Sequence, residues 1–244
     1  MKIAAFYDIH GNLPALEAVL KEAMAADIDQ IIVGGDVVLG PMSNECLDLL
    51  LNLPIPVQCI LGNCEVSVLA QREGKSEENL PATVQEDIRW TADQLLPLHH
   101  KLLSSWPLTI QLHIDGLGEV LFCHATPRDL NENFSNLTPE EKLLPLFQDL
   151  NVDLVICGHT HMQFDRMIGK VRVINAGSIG MPFGKPGADW LLLGPDVQLR
   201  HSPYDLEEAV NRIEQTNYPH AKEFAQNSIL QPPSVEKMAN ILKG

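Results

Sequence analysis

Two aspartates, an asparagine and four histidines in this 244-residue chain share one context: each lies just past an apolar run. Asp8 and His10 follow Ile3–Tyr7, Asp36 follows Ile31–Gly35, and Asn63 follows Val57–Gly62. His124 follows Val120–Cys123, and His159 and His161 follow Leu154–Gly158. If the runs are strands of an α/β sheet, ligands bind beyond their carboxyl ends, so these side chains can converge on one crevice. Their mixture of carboxylate, amide oxygen and imidazole suits Mn²⁺, Fe or Zn²⁺ and is too nitrogen-rich for a Ca²⁺ or Mg²⁺ cage. No cysteine belongs to the set, which argues against a structural zinc site.

Each residue alone has a plainer reading. Gly34-Gly35-Asp36 also fits a tight turn with an Asx cap, and Gly62-Asn63 a type I′ turn. His124 alone reads as a hydrogen-bonded histidine at a strand end. Gly158-His159-Thr160-His161 is the most specific signal, with two histidines flanking one residue after a buried strand. The order and the repeated strand-end context turn these weak signals into one hypothesis, a metal site.

The elements that must position the set follow from hydrophobic periodicity. Ile3–Tyr7, Gln30–Val33 and Val57–Leu61 read as strands, separated by helices over Leu13–Ala26 and Ser43–Leu51. This βαβαβ order predicts a mostly parallel first sheet with helices on its faces. Residues 64–106 read as mainly helical, with a break at Leu80-Pro81. After Pro107, Leu108–Ile114 and Glu119–Cys123 form a strand pair across Asp115-Gly116-Leu117-Gly118. A helix over Pro139–Leu150 and a strand at Asp153–Cys157 follow. Further strands are expected around Phe164–Ile168, Val171–Ile174, Trp190–Leu193 and Val197–Arg200. The tail over 205–244 is helical again, interrupted at Pro219 and Pro232-Pro233. The economical architecture is a single α/β domain over 1–244, with a second sheet packed on the first and helices outside both. The segments 64–106 and 205–244 are placed to cap the crevice or to form the surface of a homo-oligomer.

Composition narrows the function classes. Acidic residues outnumber basic ones 32 to 17, giving a net charge of −15 that repels a polyanion and argues against non-specific nucleic-acid binding. A small phosphate ester remains compatible, because bound cations reverse the local potential. No apolar run approaches the roughly 20 residues of a membrane-spanning helix. Asp8 and His10 cut off the N-terminal apolar stretch before it resembles a signal peptide. The five cysteines have no disulfide-like spacing, so a reducing, cytoplasmic location is expected.

The ordered set Asp8-x-His10, Gly35-Asp36, Gly62-Asn63, His124 and Gly158-His159-x-His161 resembles the calcineurin-like metallophosphoesterases. Asp8-Ile9-His10-Gly11-Asn12-Leu13-Pro14-Ala15-Leu16 is similar to their small bacterial and archaeal branch, the YfcE-type phosphodiesterases. The resemblance covers roughly residues 1–200. It implies a four-layer αββα sandwich of two mixed sheets. It also implies two divalent transition-metal ions, manganese first, with iron, zinc or nickel as alternatives. One ion would be held by Asp8, His10, Asp36 and His161, and the second by Asp36, Asn63, His124 and His159, with Asp36 bridging. The implied activity is hydrolysis of a small phosphoester, a phosphodiester foremost, by a hydroxide bridging the ions. A phosphomonoesterase or protein phosphatase is the enzymatic alternative, and a non-catalytic interaction scaffold of the same fold is the alternative of another class. Retention of every expected ligand favours an enzyme.

The chain departs from the larger superfamily members at two positions. They follow Gly-Asn with a histidine that protonates the leaving group, whereas this chain reads Gly62-Asn63-Cys64-Glu65. Cys64 is therefore either a poor proton donor, which favours esters with good leaving groups, or a small residue suited to a tight turn. Tyr7 stands where the family usually has serine, a change expected to affect strand-end packing more than chemistry. Arg128, four residues beyond His124, is a candidate for gripping a substrate phosphate and equally reads as an exposed loop arginine. Asn175-Ala176-Gly177-Ser178-Ile179-Gly180-Met181-Pro182 looks like the family's Gly-Ser loop near the site.

Overall fold

The computed structural model describes residues 1–75 and 79–243. Residues 76–78 of the helical 64–106 segment, and residue 244 of the tail, lie outside the described residues. Strand β1 (Ile3–Phe6) leads into helix α1 (Leu13–Ala25), β2 (Gln30–Val33), α2 (Ser43–Leu51) and β3 (Val57–Cys59). Helices α3 (Asn63–Arg72), α4 (Ala82–Gln94) and α5 (Pro97–Leu103) follow, with Pro81 as the N-cap of α4. The hairpin β4 (Thr109–Ile114) and β5 (Gly118–Cys123) begins a second sheet, continued by α6 (Glu140–Phe147), β6 (Leu154–Cys157), β7 (Phe164–Ile168) and β8 (Val171–Asn175). Strands β9 (Ala188–Leu193) and β10 (Val197–Ser202) precede the tail helices α7 (Leu206–Glu214), α8 (Ala221–Phe224) and α9 (Val235–Ile241). A π-helical turn at Ala225–Leu230 extends α8.

Two mixed five-stranded sheets result, in the orders β10-β9-β1-β2-β3 and β4-β5-β6-β8-β7. The first is less parallel than the βαβαβ reading predicts. Strands β1, β2 and β3 are parallel, but β9 pairs antiparallel with β1 and β10 antiparallel with β9. The late hairpin thus joins the first sheet, not the second. All six residues of β9 are buried, as befits a central strand covered on both faces.

Period-two alternation sets the layers. Ile3, Ala5 and Tyr7 face the second sheet and pack in one core with Val120, Phe122 and Ile156. Ala4 and Phe6 face the other way, into a core with Leu16 and Val19 of α1 and Leu47 of α2. On the outer face of the second sheet, Val155 and Cys157 pack with Leu143 and Phe147 of α6. A strand whose residues alternate between two buried faces has no freedom to slip by one residue, because every side chain would change layers. The register that fixes Ile3–Phe6 therefore also fixes where Asp8 and His10 emerge. The tail has its own small core, in which Ala209, Ile213, Tyr218 and Phe224 pack with Met42. Among the described residues, no helix is long and apolar enough to cross a membrane.

Candidate metal centre

Beyond the strand ends the ladder continues through the loops. The Asp8 amide donates to the Gly35 carbonyl at 3.2 Å, His10 to Asp36 at 2.9 Å and Gly11 to Val37 at 2.9 Å. Within the second sheet, the Gly158 amide donates to the His124 carbonyl at 2.8 Å, and across the sandwich the Gly180 amide, in the loop after β8, donates to that of Asp8 at 2.9 Å. The loops from both sheets are thus laced together backbone to backbone. Gly62 shows why a larger residue would not fit: a Cβ there would lie 2.2 Å from Asp36 Oδ1 and 2.6 Å from its amide nitrogen. Tyr7 fills the strand ends, its hydroxyl donating to the Ile156 carbonyl at 3.1 Å across the sheets. This matches the packing role expected of it.

This lacing forces side chains into unusual backbone conformations. Among the described residues, seven non-glycine residues have positive φ, and five are Asp8, His10, Asp36, His159 and His161, at 54°, 47°, 54°, 67° and 55°. Such left-handed residues cost of order 1 kcal/mol or more each and persist where the surroundings over-determine them. Here they aim donors inward. One oxygen or nitrogen from each of Asp8, His10 and His161 lies within 4.8 Å of the others, as do the donors of Asp36, His124 and His159. His10, Asp36 and Cys64 satisfy the same criterion and join the two groups. Asn63 completes the set, its Oδ1 lying 2.9 Å from His124 Nε2.

Outer contacts orient the imidazoles. His124 Nδ1 donates to the Gly34 carbonyl at 2.9 Å and His161 Nδ1 to the Met181 carbonyl at 3.0 Å. Both therefore turn Nε2 toward the centre, the arrangement by which backbone carbonyls fix the ligating nitrogen of a histidine. The Gly-Ser loop contributes here as well, since Ser178 Oγ donates to the Asp8 carbonyl at 2.8 Å.

The inward-facing atoms lack protein partners that suit them. His10 Nε2 and His161 Nε2 face each other at 3.1 Å. Two imidazole nitrogens in that geometry need a proton or a cation between them. Asp8 Oδ1 is buried without a hydrogen bond, although His161 Nε2 lies 3.3 Å away. His124 Nε2 sits against two acceptors, Asn63 Oδ1 and, at 3.4 Å, Asp36 Oδ2. An orphaned carboxylate oxygen and opposed ring nitrogens fit a cation that accepts their lone pairs.

The electrostatics agree. Burial, with His161 beside it, pushes His10 down to about 4, so its ring stays neutral and able to ligate. Burial and the neighbouring His124 also lower His159. Burial alone would lower His124, but the Asp36 carboxylate lifts it to about 10. Burial likewise opposes the rise of His161, which Asp8 holds up. Asp36 stays well below the usual carboxylate range despite burial, held there by His124 and His10. Two carboxylates and two imidazoles therefore balance as ion pairs, with protons standing where a divalent cation would take over the lone pairs.

The remaining candidates fall differently. Cys64 is buried, its amide donating to Asp36 Oδ1 at 2.9 Å and its thiol to Asp36 Oδ2 at 3.1 Å. Burial and then the Asp36 charge raise its pKa well above the ordinary thiol value. Arg128 is an exposed side chain, and its guanidinium bridges to Glu132 four residues on. It does not line the cavity above the histidines.

Two features escape a reading of the sequence. Glu65 is buried at the third position of α3, and its carboxylate accepts from the amides of Asp36, Val37 and Gly62 at 2.8 Å and of Val38 at 3.2 Å. It ties the Asp36 loop to the Asn63 loop. Burial, then the Asp36 charge, raises it to about 7. An acid three residues after a helix N-cap is the available signal, but that pattern normally marks only a capped helix. The second feature is a cavity of about 440 Å³ with His10 and His161 at its floor. Thr83, Val84 and Asp87 of α4 form one wall, and tail residues including Tyr218, His220 and Phe224 form another.

Comparison with known proteins follows the geometry. Over 89% of this chain and 93% of its own length, an uncharacterized protein of Methanocaldococcus jannaschii, MJ0912, is 30% identical. The crystal structure of hypothetical protein PH1004 from Pyrococcus horikoshii superposes with a TM-score of 0.82 at 19% identity, covering 96% of this chain and 99% of that one. A metallophosphoesterase from Sphaerobacter thermophilus gives 0.72 at 24% identity, covering 93% and 97%. At these identities the two structures speak for the fold alone. The family model that matches residues 1–194 is that of the calcineurin-like phosphoesterase superfamily domain. With the strand-end donors and the paired mixed sheets, that match establishes that the chain belongs to the calcineurin-like phosphoesterase superfamily.

Proposed function

We propose that this protein is a binuclear metal-dependent phosphodiesterase acting on small organic phosphates. The observation that carries the reading is the pair of donor groups joined through Asp36, with the buried Asp8 Oδ1 left without a hydrogen bond. Asp8, His10, Asp36 and His161 would hold one ion. Asp36, Asn63, His124 and His159 would hold the other. The donor types favour manganese, with iron, zinc or nickel also able to bind. Such ions supply an acidified water as nucleophile and neutralise charge on the phosphoryl group.

The chain's own residues shape the rest. Glu65 and the carbonyls of Gly34 and Met181 orient the donors before any ligand arrives. Cys64 is poorly suited to protonate a leaving group, because its thiol already donates to Asp36 and burial holds its proton firmly. Departure of the alcohol without that help requires a stable leaving group. A diester, carrying one negative charge where a monoester carries up to two, suits a cavity lined by carboxylates and, among the described residues, by no lysine or arginine. α4 and the tail would cap the crevice. Five cysteines with no disulfide among them are consistent with a cytoplasmic setting.

The test is elemental analysis of the purified protein, then assay after reconstitution with Mn²⁺, Fe²⁺, Zn²⁺ or Ni²⁺. About two equivalents of metal and faster hydrolysis of bis(4-nitrophenyl) phosphate than of 4-nitrophenyl phosphate are expected. Tight binding of metal with no turnover of either ester would favour the scaffold reading instead.

A further inference from the structure

The cavity above His10 and His161 has a composition that selects among phosphodiesters. Its volume, about 440 Å³, lies within the ordinary range for small-molecule sites and accommodates one ring-sized group beside the reacting phosphate. Leu39, Val84, Met181 and Phe224 give its walls an apolar character. The Tyr218 ring stands edge-on to Trp90, with centroids 5.2 Å apart, and edge-on to Phe224 at 6.3 Å, so the aromatic wall is braced from behind.

Apart from His220, the charged groups on the rim are acidic. Asp87 and Glu223 line the cavity, and among the described residues no lysine or arginine does. Among the described residues, His220 is the one lining group above the floor that can become cationic. It is already engaged, its Nδ1 lying 2.8 Å from Asp87 and its Nε2 3.6 Å from Glu86. Sites that recognise an additional phosphate or carboxylate supply a guanidinium or ammonium for it. This one instead presents carboxylates within a chain of net charge −15. The tail wall also lies beyond residue 194, outside the segment matched by the family model.

We propose that this cavity binds the uncharged, apolar or aromatic ester group of a phosphodiester, and that Asp87 and Glu223 exclude esters bearing a second anionic group. The inference rests on the phosphodiesterase reading. Selection by exclusion is expected because a substrate carboxylate would be brought beside fixed like charges in a partly desolvated pocket.

The experiment uses two diesters with one leaving group, 4-nitrophenyl phenyl phosphate and 4-nitrophenyl 4-carboxyphenyl phosphate, on the metal-loaded protein. The wild type should prefer the uncharged ester in kcat/KM by about tenfold, and the preference should shrink as salt is raised. Glu223→Lys, a change at an exposed residue, should bring the ratio close to one, and Glu223→Gln should move it part of the way. Glu141→Lys on α6 makes the same charge change far from the cavity and should leave the ratio alone. A wild-type ratio near one overturns the inference, as does an equal fall in Glu223→Lys and Glu141→Lys, while the phosphodiesterase reading survives either result. If neither ester turns over, that reading fails. The cavity is then judged by calorimetric binding of diphenyl phosphate and its 4-carboxy derivative. Tighter binding of the uncharged ligand, weakened selectively by Glu223→Lys, supports the inference, and equal affinities overturn it.

Discussion

The floor and the rim of the cavity are built on opposite plans. Beneath the floor formed by His10 and His161, Asp8, Asp36 and His124 are no more than 2% exposed, and their loops are tied to one another by backbone hydrogen bonds. Five of the donor residues sit in left-handed backbone, held there by the surrounding loops and by glycines that no side chain could replace. On the rim, Thr83 and Glu223 are exposed, and Asp87 and His220 meet across 133 residues of sequence. The floor is held by many backbone and side-chain interactions that agree on one geometry, whereas the rim is held by packing between α4 and the tail and by the Asp87–His220 pair. A substitution on the floor should therefore change chemistry and stability together, and one on the rim should change selectivity or local order.

The comparison can be broken most severely at Asp36. Asp36→Asn should lose about one equivalent of metal and lower kcat/KM by about 10³-fold or more, given the several kcal/mol of charge stabilisation a metal centre supplies. Elemental analysis showing two tightly held metals with full activity would show that Asp36 is not shared between the two groups. Next comes Glu65→Gln, which replaces one buried oxygen by an amide that faces backbone N–H donors. Urea unfolding should show a loss on the order of 3 kcal/mol. A change within experimental error would mean that the loops are fixed without this carboxylate.

On the rim the effects should be smaller. His220 is raised above its reference value of 6.5, chiefly by its hydrogen bond to Asp87. A histidine whose folded pKa is raised contributes stability that is fully present below 6.5 and fades as pH rises through the raised value. Amide exchange in α4 and the tail should therefore speed up, beyond the intrinsic rate, as pH rises above 6.5 and through the raised value, and His220→Ala should remove that extra dependence. Smallest of all, Arg128→Ala breaks an exposed pair with Glu132, a contact worth roughly 0–1 kcal/mol. Its kcat/KM should stay within about twofold of wild type. A loss beyond tenfold would place the guanidinium on the substrate and extend the rim to that loop.

The same contrast explains what was legible in the sequence. The candidate donors stand out in the sequence because each lies within four residues of a strand's end, and a strand's buried alternation is a local pattern. Element bounds such as Gln30–Val33 and Phe164–Ile168 coincide with the observed strands for that reason. Which sheet a strand joins is not local. Ala188–Leu193 carries an apolar run suited to any buried sheet, and only pairing with β1 assigns it to the first. Glu65 is not legible as a loop tie because its type and position describe a common helix cap, while its four amide partners become neighbours only in three dimensions. The rim was invisible for a related reason. Tyr218, Phe224 and Asp87 are ordinary residues of amphipathic helices, and nothing in their spacing says that those helices meet over His10.

The placement of β9 also bears on the order in which the molecule can be made. Ile3 pairs with Leu193 and Ala5 with Leu191, so the strand that launches Asp8 and His10 keeps one edge unpaired until the chain has been synthesised past residue 193. During translation, β1, β2 and β3 can associate early as a parallel trio with α1 and α2 on one face. Their other face and the open edge of β1 remain an adhesive template through the next hundred or more residues. A nascent chain stalled before β9 is thus the species most in need of a chaperone. Ribosome-stalled lengths on either side of residue 193 should differ sharply in protease resistance.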